Sequence, residues 1–174
     1  KSLESKVRFV FPHAPVRSIT VNGGMRMRAW YDIVGLNISY KEDSEGIKDS
    51  ARLIELLIKR EQELGIASNQ IVLAGFSQGG AMALHAGLRY PEPLAGIIAL
   101  SSYLALPDTF VKERDLANQN TPIFMAHGLF DTVVPIMLDQ MSKEQLEDLG
   151  YQIDWFTYPM AHTVVPEEID DIYH

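Results

Sequence analysis

Ile71-Val72-Leu73-Ala74-Gly75-Phe76 is an unbroken apolar run that leads directly into Ser77-Gln78-Gly79. Six apolar residues without polar alternation have the pattern of a central parallel strand covered on both faces. From Ala81 to Tyr90 the apolar residues then follow a helical period and stop at Pro91. A buried strand, a sharp turn and a helix in that order restrict the chain to folds built on parallel strands and crossover helices.

The rest of the chain continues the alternation. Val7-Arg8-Phe9-Val10-Phe11 reads as a first strand ending at Pro12, which has no N–H for a ladder. Between Glu42 and Leu64, Ile47, Ala51, Ile54 and Ile58 recur every three or four positions, with Gly65 placed to end an amphipathic helix. Leu94–Leu100, Ile123–Ala126 and Ile153–Tyr158 read as further buried strands, and Ile136–Leu149 as a helix. Pro12 to Tyr40 sustains neither period and reads as a long loop, a length that in compact domains usually serves function. Lys41–Glu45 and Asn118-Gln119-Asn120 read as solvated connections. At 174 residues the expectation is a single α/β domain with a mostly parallel sheet and helices on both faces.

Sites in such sheets form at the carboxyl ends of the strands. Gly75-Phe76-Ser77-Gln78-Gly79 puts a serine at one of these ends, with a glycine two positions away on each side. The turn is sharp enough to strain the serine backbone, and side chains at either glycine are expected to collide with neighbouring backbone. Chance supplies such a pattern in roughly one chain of this length in twenty, so the strand before and the helix after carry the weight. The bland alternative is a glycine-rich turn with a serine helix cap. A serine nucleophile needs a base, and the base an orienting carboxylate, in the chain order serine, acid, histidine. Asp131 follows the Ile123 strand and His162 follows the Ile153 strand, so the expected triad is Ser77, Asp131 and His162. The Gln78 N–H, at the helix N-terminus, is the expected oxyanion donor. Met27 and Trp30, in the long loop, are candidate walls of an acyl pocket, against the plainer reading that Trp30 and Tyr31 pack the loop onto the sheet.

Composition removes competing classes. A formal charge of −8 and a pI near 5.0 oppose nucleic acid or an anionic membrane surface as partner. No cysteine means no thiolate nucleophile or disulfide, and no histidine pair has metal-ligand spacing, so neither metal nor cofactor is expected. No apolar window reaches the length of a membrane span, and the lack of cysteine and export signal points to the cytoplasm.

Taken with these residues, Phe11-Pro12-His13-Ala14-Pro15, Trp30-Tyr31-Asp32-Ile33, Gly75–Ala81, Ala99-Leu100-Ser101, His127-Gly128, Asp131 and Met160-Ala161-His162 resemble the bacterial carboxylesterase and acyl-protein thioesterase family of α/β-hydrolases. The resemblance covers nearly the whole chain, with Ala161 standing where that family usually has glycine. It implies hydrolysis of short- to medium-chain carboxylic esters or thioesters, or of acyl-protein or lysophospholipid substrates, through an acyl-enzyme and without a cofactor. It also implies an additional strand and a His-Gly-Leu-Gly oxyanion loop ahead of Val7, the strand lying between those read here as first and second. The sequence is therefore expected to be N-terminally incomplete, with the strand and loop supplied by an N-terminal segment of the same protein or by a partner chain, such as a second copy. Without that loop the triad would be present but weakened. Pro12–Pro15 is a poor substitute, because two of its four residues lack an N–H. A serine peptidase on the same fold would use the same triad, and a non-catalytic binding module would be expected to have a broken one.

Overall fold

The computed structural model describes residues 7–35 and 41–173; the part of the expected loop at 36–40 lies outside them. A parallel four-stranded sheet runs in the order β3 (Val72–Phe76), β4 (Gly96–Leu100), β5 (Ile123–Gly128) and β6 (Ile153–Tyr158). The crossovers are α2 (Gln78–Gly87) and α4 (Ile136–Asp148), as the apolar periods predict, with a short additional helix, α3 (Pro107–Glu113), between β4 and β5. Ahead of the sheet lies α1 (Ser44–Glu63), and α5 (Pro166–Ile172) follows it. Both short helices begin with proline, whose missing N–H costs nothing in a first helical turn, and each is too brief to show a period.

Residue parity along the strands divides the core. Ile97, Ala99, Ile123 and Met125 point to the face covered by Leu84 and Leu88 of α2, Phe110 of α3 and Leu146 of α4. Leu100, Ala126 and Tyr158 point to the other face, against Met160 and the partly buried Val165 and Ile172 at α5. A third cluster joins Ile47 and Ala51 of α1 to Ala81 and Met82 of α2 and to Tyr31, with Trp30 packed against it.

Three expectations are corrected. Val7–Phe11 forms no strand: Phe9 and Phe11 are 70% and 85% exposed and stack on each other. A β-prone run remains irregular when no ladder partner is beside it. The run at 71–76 is a strand, but among the described residues it is the sheet edge rather than a central strand. Val72 and Phe76 are exposed on one face. Third, the long loop contains an antiparallel hairpin, β1 (Val16–Ile19) with β2 (Met25–Arg28), turned through Gly23 and Gly24 at φ of 65° and 79°.

The two segments read as solvated connections are also structural. Asp43 caps α1 by accepting from Gly46 N at 2.9 Å and also accepts from Asp32 N, while Glu42 accepts from Leu106 N at 2.8 Å. Asn118 is fully buried, accepts from Leu94 N and donates to the Tyr90 and Glu92 carbonyls.

Candidate active site

β3 ends at Phe76, and the chain turns so tightly into α2 that Ser77 has φ 55° and ψ −121°. A residue without glycine's freedom held there stores about 1–3 kcal/mol, so the surrounding structure must enforce it. Ser77 N donates to Leu100 O at 2.8 Å, which extends the parallel ladder to the turn, and Ser77 O accepts from Ala81 N to start the helix. The serine hydroxyl does not cap α2. It is bound instead by His162.

The glycine expectation is half right. A Cβ at Gly75 would lie 2.1 Å from the Gly79 carbonyl carbon, whereas one at Gly79 would meet nothing within 4 Å. The second tight approach falls one residue later, where a Cβ at Gly80 would lie 2.6 Å from Ser102 Oγ. Gly75→Ala is therefore expected to cost about 3 kcal/mol or more in urea unfolding. Gly79→Ala should change stability by less than about 1 kcal/mol, in the stabilising direction, because alanine restricts the unfolded chain.

The structure brings the three predicted residues together. His162 Nε2 lies 2.9 Å from Ser77 Oγ, and His162 Nδ1 lies 2.7 Å from Asp131 Oδ2. The Asp131 side chain is fully buried and that of His162 is 17% exposed. Asp131 Oδ1 accepts from Val133 N at 2.8 Å and Val134 N at 2.9 Å. Burial alone would raise the Asp131 carboxyl, but the His162 bond, the two backbone N–H groups and the His162 charge outweigh it and hold the group below the usual carboxylate range.

The loops carrying the acid and the histidine are joined to each other. Leu129 N donates to Tyr158 O and Phe130 N to Met160 O, which ties the Asp131 loop to the His162 loop. That approach requires Gly128, where a Cβ would lie 2.4 Å from Met160 O. Phe76 packs against the His162 ring, with centroids 4.6 Å apart. Ala161 is absent from the left-handed backbone region, which explains why alanine fits there.

Gln78 has a second use that sequence reasoning missed. Its N–H opens α2 and has no partner inside the helix, as expected of an oxyanion donor. Its side chain grips the preceding loop, with Oε1 accepting from Trp30 N at 2.7 Å and Nε2 donating to Tyr31 O at 2.8 Å. Trp30 thus adjoins the serine turn through its backbone, while its ring belongs to the α1–α2 core. Met27 lies on β2, half-exposed, with its sulfur accepting from Asn22. A cavity of about 300 Å³ does open between α1, α2 and α3, but Lys48, Arg52, Arg89 and Glu113 are in its lining, and Trp30 and Met27 are not.

A serine on a strained strand-to-helix turn after β3, with an acid on the loop after β5 and a histidine on the loop after β6 of one parallel sheet, defines an α/β-hydrolase. Residues 2–174 match the phospholipase/carboxylesterase family. The chain is 48% identical to acyl-protein thioesterase 1 of Gibberella zeae, over 96% of its own length and 74% of the relative's. It is 40% identical to acyl-protein thioesterase 1 of Saccharomyces cerevisiae, over 94% and 74%. Among solved structures, SOBER1 of Arabidopsis thaliana superposes with a TM-score of 0.89 at 26% identity, covering 94% of this chain and 79% of that one. Acyl-protein thioesterase 2 of Zea mays gives 0.82 at 28%, covering 92% and 76%. The chain belongs to the phospholipase/carboxylesterase family and is a hydrolase of the esterase and thioesterase kind. No helix among the described residues is long and apolar enough to cross a membrane.

Proposed function

We propose that the protein hydrolyses S-acyl thioesters and short- to medium-chain carboxylic esters in the cytoplasm through an acyl-enzyme on Ser77. The observation that carries this reading is the continuous chain from Ser77 Oγ through His162 to the buried Asp131, with steps of 2.9 Å and 2.7 Å. The thioester part draws support from the relatives named as acyl-protein thioesterases.

His162 Nε2 takes the proton from Ser77 Oγ as the oxygen attacks the acyl carbon. Asp131 keeps the other ring proton on Nδ1 and stabilises the ring once it is charged. Negative charge on the former carbonyl oxygen meets the Gln78 N–H and the positive end of α2. The tetrahedral adduct collapses, the carbon–sulfur or carbon–oxygen bond breaks, and His162 returns the proton to the leaving group. Water attacks the acyl-serine by the same route and releases the acid.

A fluorophosphonate probe, with the adduct mapped by peptide digestion, should label Ser77. The same preparation should release thiol from an S-octanoyl peptide and p-nitrophenol from its butyrate ester. An adduct elsewhere, or labelling without either hydrolysis, would refute the reading.

A further inference from the structure

His127, at the end of β5, is fully buried and lies behind the triad. Its Nε2 is 2.8 Å from Val134 O, a carbonyl that can only accept, so that nitrogen carries a proton. The same nitrogen is 3.4 Å from Asp131 Oδ2, the oxygen that binds His162. On the other side of the ring, Nδ1 faces Asp139 Oδ1 at 3.7 Å. Both of these atoms are buried without a hydrogen-bond partner, and Asp139 itself is fully buried in the first turn of α4. Its other oxygen accepts from Trp155 Nε1 at 2.5 Å. Glu168 of α5, also fully buried, is the third acid whose charge acts on the ring.

Two bare lone pairs facing each other across a buried site repel, and a proton on Nδ1 turns that repulsion into attraction. Two buried carboxylates on either side of one imidazole are also costly unless the ring is positive. We infer that His127 is an imidazolium clamped between Asp131 and Asp139, and that it is a positioning residue whose charge holds the triad carboxylate and opposes a second positive charge on His162. The electrostatics of the site agree with the geometry. Burial pulls His127 down, but the Asp139 contact, the Val134 carbonyl and the charges of Asp139 and Asp131 together leave it above the usual histidine value. At Glu168, burial pushes the carboxyl up against the opposing pull of the His127 charge.

The inference rests on the triad reading for its effect on catalysis, though not for the state of the ring. Long-range ¹H–¹⁵N correlation spectra of the intact protein at pH 7 should show both His127 ring nitrogens protonated. A neutral ring, with the shared proton on Asp139, would overturn the inference without any variant being made.

The second measurement is the pH profile of kcat/KM for His127→Gln, which can keep a donor near Val134 O but carries no charge. Its acidic limb should move upward by about one to two pH units, the size expected of a like charge on the far side of the Asp131 oxygen acting through an effective dielectric near 20. A limb that coincides with that of the wild type would overturn the catalytic role. Ser77→Ala run in parallel separates the two failures. If it retains hydrolysis, the triad reading is wrong; if it is inactive while the His127→Gln limb stays in place, only the role of His127 is wrong.

Discussion

Replacing Ser77 by alanine is expected to lower ester turnover by about 10⁶ while the protein remains folded. Oγ is the atom held 2.9 Å from His162 Nε2, and the serine hydroxyl does no capping that alanine would forfeit. The backbone at Ser77 stays at φ 55° in either case, so the variant keeps the strain and should melt within a few degrees of the wild type. Ser77→Gly makes the complementary case. It should be just as inactive yet more stable, because glycine adopts a positive φ without that cost. Thermal unfolding beside single-turnover assays checks both halves. Ester hydrolysis within tenfold of the wild type in the alanine variant would remove Ser77 from the mechanism, and a glycine variant no more stable than the wild type would show that the turn is unstrained.

Much of this site is legible in the residues before any coordinates. The strands from Ile71 onward are short, apolar and separated by helices with a clear period, so their order follows from local pattern, and with it the loops that carry Asp131 and His162. What escaped had no local signature. Val7–Phe11 has strand composition, but a strand is a paired object, and nothing in those five residues reports whether a neighbour is beside them. The Gly79 expectation failed because the motif does not reveal which glycine meets backbone; here the close approaches fall at Gly75 and Gly80. Gln78 presents a backbone donor and a side-chain clamp at one position, and its partners Trp30 and Tyr31 lie 48 and 47 residues away in sequence. His127 and Asp139 are twelve residues apart on different elements. Only burial around the end of β5 makes them a pair.

Asp131→Asn tests the other end of the relay, and the surroundings of the carboxylate determine what the amide must do. Oδ1 accepts two backbone N–H groups, from Val133 and Val134, at 2.8 and 2.9 Å. An asparagine can accept these only with its carbonyl oxygen, since its NH₂ would oppose two donors with two more. The NH₂ is then left at the Oδ2 position, pointing at His162 Nδ1, where the wild type has an acceptor 2.7 Å away. Donation from the amide to Nδ1 forces the ring proton onto Nε2, the nitrogen that has to accept the proton of Ser77. The base is thereby held in the wrong tautomer with its position almost unchanged. We expect kcat to fall by about 10⁴, with KM close to that of the wild type, because no substrate contact is altered. Imidazole ¹⁵N spectra should show the proton moved to Nε2 of His162. A loss of less than tenfold would mean that His162 does not depend on Asp131 for its tautomer. A large loss with the proton still on Nδ1 would mean that the carboxylate acts through its charge alone.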